Sequence, residues 1–230
     1  QFPPFQSWLK SLDDQLCSST ISVSKVRIQG IDLFGSGKIG FIKFVADAQH
    51  ATGQRVPGIV FMRGGSVSML IILRTEKGPR VPSFQDHSSY VLLTEQARMP
   101  VANFQMRELP AGMLDGETGE FAGTAAKEIR EETGLVIRPG DLVDLTQEVV
   151  QGTSDLGMYP SAGGCDEFVR LFAAEKIVSP QELAELRGKL SGLRDQGELI
   201  TLRLVRLSEL WRETRDLKAT AALYLWDRLQ

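Results

Sequence analysis

The stretch Gly123–Leu135, GTAAKEIREETGL, constrains this chain more than any other. On an α-helix turning about 100° per residue, Glu128, Glu131 and Glu132 fall within roughly 100° of one another. Ala122, Ala126, Ile129 and Thr133 occupy a narrower band that reads as the buried stripe. Like charges three or four residues apart destabilise an isolated helix by about 0.2–0.5 kcal/mol per pair. Lys127 and Arg130 read as pointing away from the three glutamates. Gly134 stands where a C-terminal cap glycine belongs, so the helix is expected to end just past the cluster. Taken alone, a solvated acidic face explains such a cluster. A sharper explanation has to come from the rest of the chain.

The composition sets the bounds. With 230 residues, 42% hydrophobic and 24% charged, the chain can bury a real core as one large domain or two small ones. A formal net charge of −3 argues against a mainly electrostatic nucleic-acid binder. No apolar run approaches the ~20 residues needed to cross a bilayer, so no membrane partner is expected. Cys17 and Cys165 lie far apart without metal-ligand spacing; a disulfide is unsupported, and a reducing compartment fits at least as well. The sequence begins at Gln1 rather than Met, which reads as a processed or trimmed form with any transit peptide out of view.

Along the chain, residues 1–20 read as an arm or short helix, and Val23 to about Asp47 as strands around a GSGK turn. IVFMRGG, VSMLIILRT and YVLLTEQARMP continue the β pattern, and ELPAGMLDGETGE reads as a loop before the acidic helix. DLVDLTQEVV and DEFVRLFAA read as strands around a Gly/Ser-rich loop at 151–165. Residues 180–196 read as a polar helix, ELITLRLVRL as a strand, and the segment from Ser208 onward as one terminal helix with Ser208 as its N-cap. His50 and His87 are lone histidines in polar loops. This order suggests an α/β chain: a small N-terminal β domain over 1–62, then an α/β/α core over 63–230.

Gly112–Leu135, GMLDGETGEFAGTAAKEIREETGL, resembles the Nudix box: Gly, five residues, Glu, seven residues, then R-E-U-x-E-E-x-G-U with U bulky and aliphatic. Glu128, Ile129, Glu131, Glu132, Gly134 and Leu135 match. Lys127 replaces the usual Arg, and one extra residue lies between Gly112 and Lys127. Strict counting therefore puts the first Glu of the pattern on Gly119, flanked by Glu117 and Glu120, either of which could pair with Lys127. The resemblance implies the Nudix fold, an α/β/α sandwich with a mixed sheet. It also implies a divalent cation, Mg2+ with Mn2+ as the alternative, held against a diphosphate. Such a hard ion takes oxygen ligands and keeps waters, which would relieve the repulsion among Glu128, Glu131 and Glu132.

The flanking RELPAGM and LTEQARMP, with PSAGGCDE further on, are similar to the ADP-sugar diphosphatase branch of that family, plant type. That likeness implies the Ala111 carbonyl as a metal ligand beside Glu128, Glu131 and Glu132. It implies Arg98, Glu108, Gly112 and Gly164 at the substrate, and Glu167 as base or additional metal ligand, with Asp166 its neighbour and Glu131 the alternative base. Arg98 alone could equally form a surface salt bridge, Glu167 ordinary loop solvation, and Cys165 buried packing. The implied activity is hydrolysis of ADP-glucose or ADP-ribose to AMP and a sugar 1-phosphate, by a homodimer joined through the N-terminal domain, in a plastid if the source is a plant and otherwise in the cytoplasm. A UDP-sugar pyrophosphatase and a non-catalytic nucleotide-binding module of the same fold are the rival readings.

Overall fold

The computed structural model describes residues 2–35, 37–114, 120–193 and 199–229. Contacts divide the chain into two compact units. The first holds the chain through Gly65, Leu114 and the loop Tyr159–Phe168. The second holds Ser66–Met113 and nearly all of the remainder.

In the first unit the expected arm is a full helix, α1 (Pro3–Leu16), started by prolines at its first positions, where a missing N–H costs nothing. Strands β1 (Ile21–Phe34) and β2 (Lys38–His50) form a long antiparallel hairpin, and β3 (Arg55–Val56) and β4 (Ile59–Met62) both pair with β2. His50 thus ends a strand rather than sitting in a loop. The small core is Ile42, Phe44 and Met62, covered by Phe5 and Trp8 of α1, whose rings lie 5.6 and 4.7 Å from that of Phe44.

The second unit is built on β5 (Ser66–Arg74), buried on both faces from Ser66 to Leu73, as the apolar run Met69–Leu73 leads one to expect. It pairs in parallel with β10 (Val169–Ile177) and antiparallel with β6 (Tyr90–Arg98) and β8 (Ala111–Met113). β7 (Asn103–Glu108), β9 (Val143–Asp144), β11 (Leu190–Ser191) and β12 (Ile200–Arg206) complete an eight-stranded mixed sheet. Leu70 and Ile72 join Val91, Leu93, Leu171 and Val205 under Ala219, Ala222 and Trp226 of α6 (Leu217–Arg228). The other face of β5 packs against the acidic helix, α2 (Phe121–Thr133), giving the expected α/β/α layering.

Four sequence expectations are corrected here. The loop before the acidic helix contains β8. DLVDLTQEVV is a two-residue strand followed by helix α3 (Gln147–Val150), because Asp144 accepts from the Thr146 amide and hydroxyl and turns the chain. The polar helix stops at α4 (Pro180–Leu186), after which Gly188 and Gly192 adopt left-handed backbone on either side of β11. The terminal helix is two helices, α5 (Leu210–Glu213) and α6. Its break is stabilised by Asp216, which caps Lys218, while Ser208 is not an N-cap but meets His87 Nδ1 through its hydroxyl at 2.9 Å.

Asp86 anchors the loop before β6. Burial opposes its charge, but the hydroxyls and amides of Ser89 and Ser88 outweigh that and hold its carboxyl below the usual range. A group whose folded pKa is depressed adds stability above its unfolded value and loses it as pH falls through the folded one. Asp86→Asn should therefore cost about 1–3 kcal/mol at pH 7 and lessen the loss of stability below about pH 4. Denaturant melts between pH 7 and 2.5 check both, and parallel pH curves for variant and parent would refute the linkage.

Candidate functional site

The strand β8 is fixed from beneath by the central strand. Ser68 pairs with Ala111 and Val67 with Gly112, and the Met69 amide and Ser68 hydroxyl both donate to the Pro110 carbonyl, at 2.9 and 3.2 Å. Helix α2 brings its carboxylates onto this backbone. Glu132, buried at 3% exposure, accepts through Oε2 from the Ala111 amide at 3.1 Å. Glu128 lies directly over Gly112: a Cβ there would stand 2.0 Å from its Cδ and 2.4 Å from its Oε1. The glycine of the motif thus has a steric reason, since any side chain would displace that carboxylate.

Glu131 differs from its neighbours. Lys127 Nζ stands 4.0 Å from its Oε2, so Lys127 does face the acidic side, contrary to the sequence reading; an i,i+4 pair is only about 40° apart on the helix. Glu117 and Gly119 lie outside the described residues. Glu120 is the residue before the first turn of α2 and makes no side-chain cap there. The buried band also shifts from the expected stripe: Ala125, Ile129, Glu132 and Thr133 are buried, whereas Ala122 and Ala126 are partly exposed. Gly134 ends the helix at φ 78°, as expected.

Among the described residues no three acidic, histidine or cysteine side chains form a ready metal cluster. The carboxylates that meet at β8, Glu128 over Gly112 and Glu132 on the Ala111 amide, are hard oxygen groups, the kind Mg2+ takes. Their oxygens side by side on this strand fit a divalent ion.

On the neighbouring strands, Arg98 Nε donates to Glu108 Oε2 at 2.5 Å, so the two residues expected at the substrate pair with each other. Lys218 Nζ stands 3.6 Å from Glu108 Oε1 and 2.8 Å from Asp216 Oδ1, and Asp216 accepts from the Leu109 amide. Sequence reasoning missed Lys218 and Asp216. They lie over a hundred residues from Glu108, and nothing in RDLK signals more than a helix start.

In the first unit, Asp166 accepts from the Arg63 and Gly64 amides at 2.7 and 3.1 Å and is the anchor of the loop Tyr159–Phe168. Burial raises its pKa against those hydrogen bonds. Glu167 Oε2 lies 3.5 Å from Arg63, a partner the sequence did not suggest. Burial likewise raises the Cys165 thiol above its ordinary range, which suits packing and not a thiolate nucleophile. Gly164 does not need glycine's freedom: its φ is ordinary, a Cβ would meet open space, and its carbonyl accepts from Phe61.

Gly112→Ala should push the Glu128 carboxylate off the strand by more than 1 Å while costing about 1–3 kcal/mol, since the clashing atoms end a flexible side chain. A crystal structure and thermal melt of the variant check this; an unmoved Glu128 would refute it.

Comparison with known proteins follows the same lines. Residues 66–226 match the NUDIX domain. The chain is 41% identical to Nudix hydrolase 14, chloroplastic, of Arabidopsis thaliana, over 98% of this chain and 70% of that protein. It is 26% identical to an ADP-ribose pyrophosphatase of Bacillus subtilis (strain 168), over 85% and 87% of the two chains. A solved structure of an ADP compounds hydrolase superposes with a TM-score of 0.52 at 17% identity, covering 90% of this chain and 95% of its own, which speaks to the fold alone.

Proposed function

Because this chain belongs to the Nudix hydrolase family, we propose that it hydrolyses the diphosphate of an ADP-linked sugar, ADP-glucose or ADP-ribose, to AMP and a sugar phosphate. The observation that carries this is the seating of Glu128 on Gly112 and Glu132 on the Ala111 amide, which sets two carboxylates on one stretch of rigid backbone. Glu128, Glu132, Glu131 and the Ala111 carbonyl would hold Mg2+ or Mn2+, which supplies charge neutralisation on the phosphoryl oxygens and a more acidic water. Water adds to one phosphorus, the bridging P–O bond breaks, and the leaving phosphate departs with that electron pair. Glu167 is the proposed base, with Glu131 the alternative.

Arg98 and Glu108 form the proposed substrate contact, with the guanidinium offering paired donors to phosphate. Lys218 beside them adds a second cation. Gly112 and Gly164 would contribute backbone only. The adenine preference rests on the ADP-ribose pyrophosphatase named among the relatives, and a plastid location on the chloroplastic one. A homodimer through the first unit suits β1, whose Ile28, Ile31, Leu33 and Phe34 are exposed.

Turnover of ADP-glucose, ADP-ribose and UDP-glucose with Mg2+, with products identified, tests the substrate. A UDP-glucose preference would favour the UDP-sugar rival. Glu132→Gln should lower kcat by about 100-fold or more, equal to about 2.7 kcal/mol; an unchanged rate would end this active-site assignment. Ile31→Asp should shift a dimer to monomer in sedimentation, and a species unchanged in mass would exclude β1 from the interface.

A further inference from the structure

We propose that the second unit carries a separate binding site for a small phosphorylated anion, in the arginine-lined cavity between β6, β12 and α5. The cavity holds about 450 Å³; its lining includes Tyr90 and five arginines, Arg107, Arg187, Arg203, Arg206 and Arg212, with Glu209 and Glu213 among them. Its size falls in the usual range of ligand pockets. No function assigned above uses it.

Five guanidiniums facing one space repel one another unless anions are supplied. The protein supplies three carboxylates. Glu95 takes Arg203 at 2.6 Å and Arg107 at 3.2 Å, Glu213 takes Arg107 at 2.8 Å, and Glu209 takes Arg212. Arg187 and Arg206 are left to the ring of Tyr90, at 6.0 and 4.1 Å from its centroid, and Arg206 also donates to the neutral carbonyls of His87 and Ser88. Among the described residues no carboxylate lies within ion-pair distance of either. Arg203 Nε is buried and has no hydrogen-bond partner among the described residues. A cavity with surplus guanidinium charge, a buried unmatched N–H and an aromatic wall suits a phosphate or phosphate ester, which guanidinium forks bind in paired fashion.

The cavity is wired to Glu108. Arg107 precedes it on β7, Thr214 Oγ1 donates to the Arg107 carbonyl, Asp216 accepts from the Leu109 amide, and Lys218 reaches Glu108. An anion that draws Arg107 away from Glu213 would loosen the segment 213–218 that carries Lys218.

Calorimetry at fixed ionic strength, without divalent cation, tests this with inorganic phosphate, pyrophosphate and a hexose 6-phosphate. Each would be titrated into the parent protein and into Glu132→Gln. Saturable binding is expected in both, which separates this site from the proposed hydrolytic one. It should weaken at least tenfold in Arg187→Ala and, independently, in Arg212→Ala, with unliganded melting unchanged. Arg187→Lys, which keeps the charge, should restore part of the loss. Tighter hexose phosphate than inorganic phosphate would mark an ester as the occupant, and the reverse order a free phosphate. Binding unaltered in both alanine variants, or heats no larger than those of chloride at equal ionic strength, would overturn the proposal.

Discussion

Two carboxylates resting on the backbone of β8 are the constraint from which the site's other features follow. A glutamate can lie over Gly112 only because that residue has no side chain, and can reach the Ala111 amide only because β8 is held in register by the central strand. The central strand in turn is immobilised by burial on both faces. Removing side-chain bulk at one position and adding apolar bulk along another therefore serve the same end. The chain places charge against rigid backbone, where the cost of holding it is offset by hydrogen bonding.

A second set of charges ties distant pieces of the same unit together. Asp216 caps α6 and accepts from Leu109, and Lys218 reaches both Asp216 and Glu108. Glu95 is shared by Arg203 and Arg107; the Arg203 hydrogen bond is the main reason its carboxyl sits below the usual range, against the effect of burial. These residues are partly enclosed, where an ion pair is geometrically specific and losing one partner is costly. They fix β7, β12 and the 213–218 segment as one piece around Glu108.

How much of this was legible depends on whether the signal was local. The run VSMLIILRT announced a strand, and Gly134 the end of α2, because β-rich composition and left-handed backbone leave direct marks in sequence. Spacing grouped Glu128, Glu131 and Glu132, but only the resemblance to the Nudix box gave the group a role, and no local signal separated Glu131 from the other two. The breaks at Gly188 and Asp216 were missed, although a left-handed glycine and a capping aspartate are local signals, because the segments were read as continuous helices. The Lys127–Glu131 pair was misread by a wheel argument that grouped the glutamates and overlooked the i,i+4 neighbour. The partners of Glu108 and Glu167 had no local signal at all: Lys218 and Arg63 become neighbours only through folding.

The acidic helix also explains why its own repulsion is tolerated. Glu132 is not a solvated surface charge; it is buried and accepts from a backbone amide. Glu128 rests beside it on Gly112, and Glu131 leans toward Lys127. The three carboxylates are thus separated by function of place: two are committed to β8, and one keeps a weak cationic neighbour at the helix surface. An isolated helix with this sequence would carry the repulsion, about 0.2–0.5 kcal/mol per pair, set against the Lys127–Glu131 pair. Within the fold, the Ala111 amide of the sheet beneath it supplies a donor to Glu132, which offsets part of the cost of placing that carboxylate there.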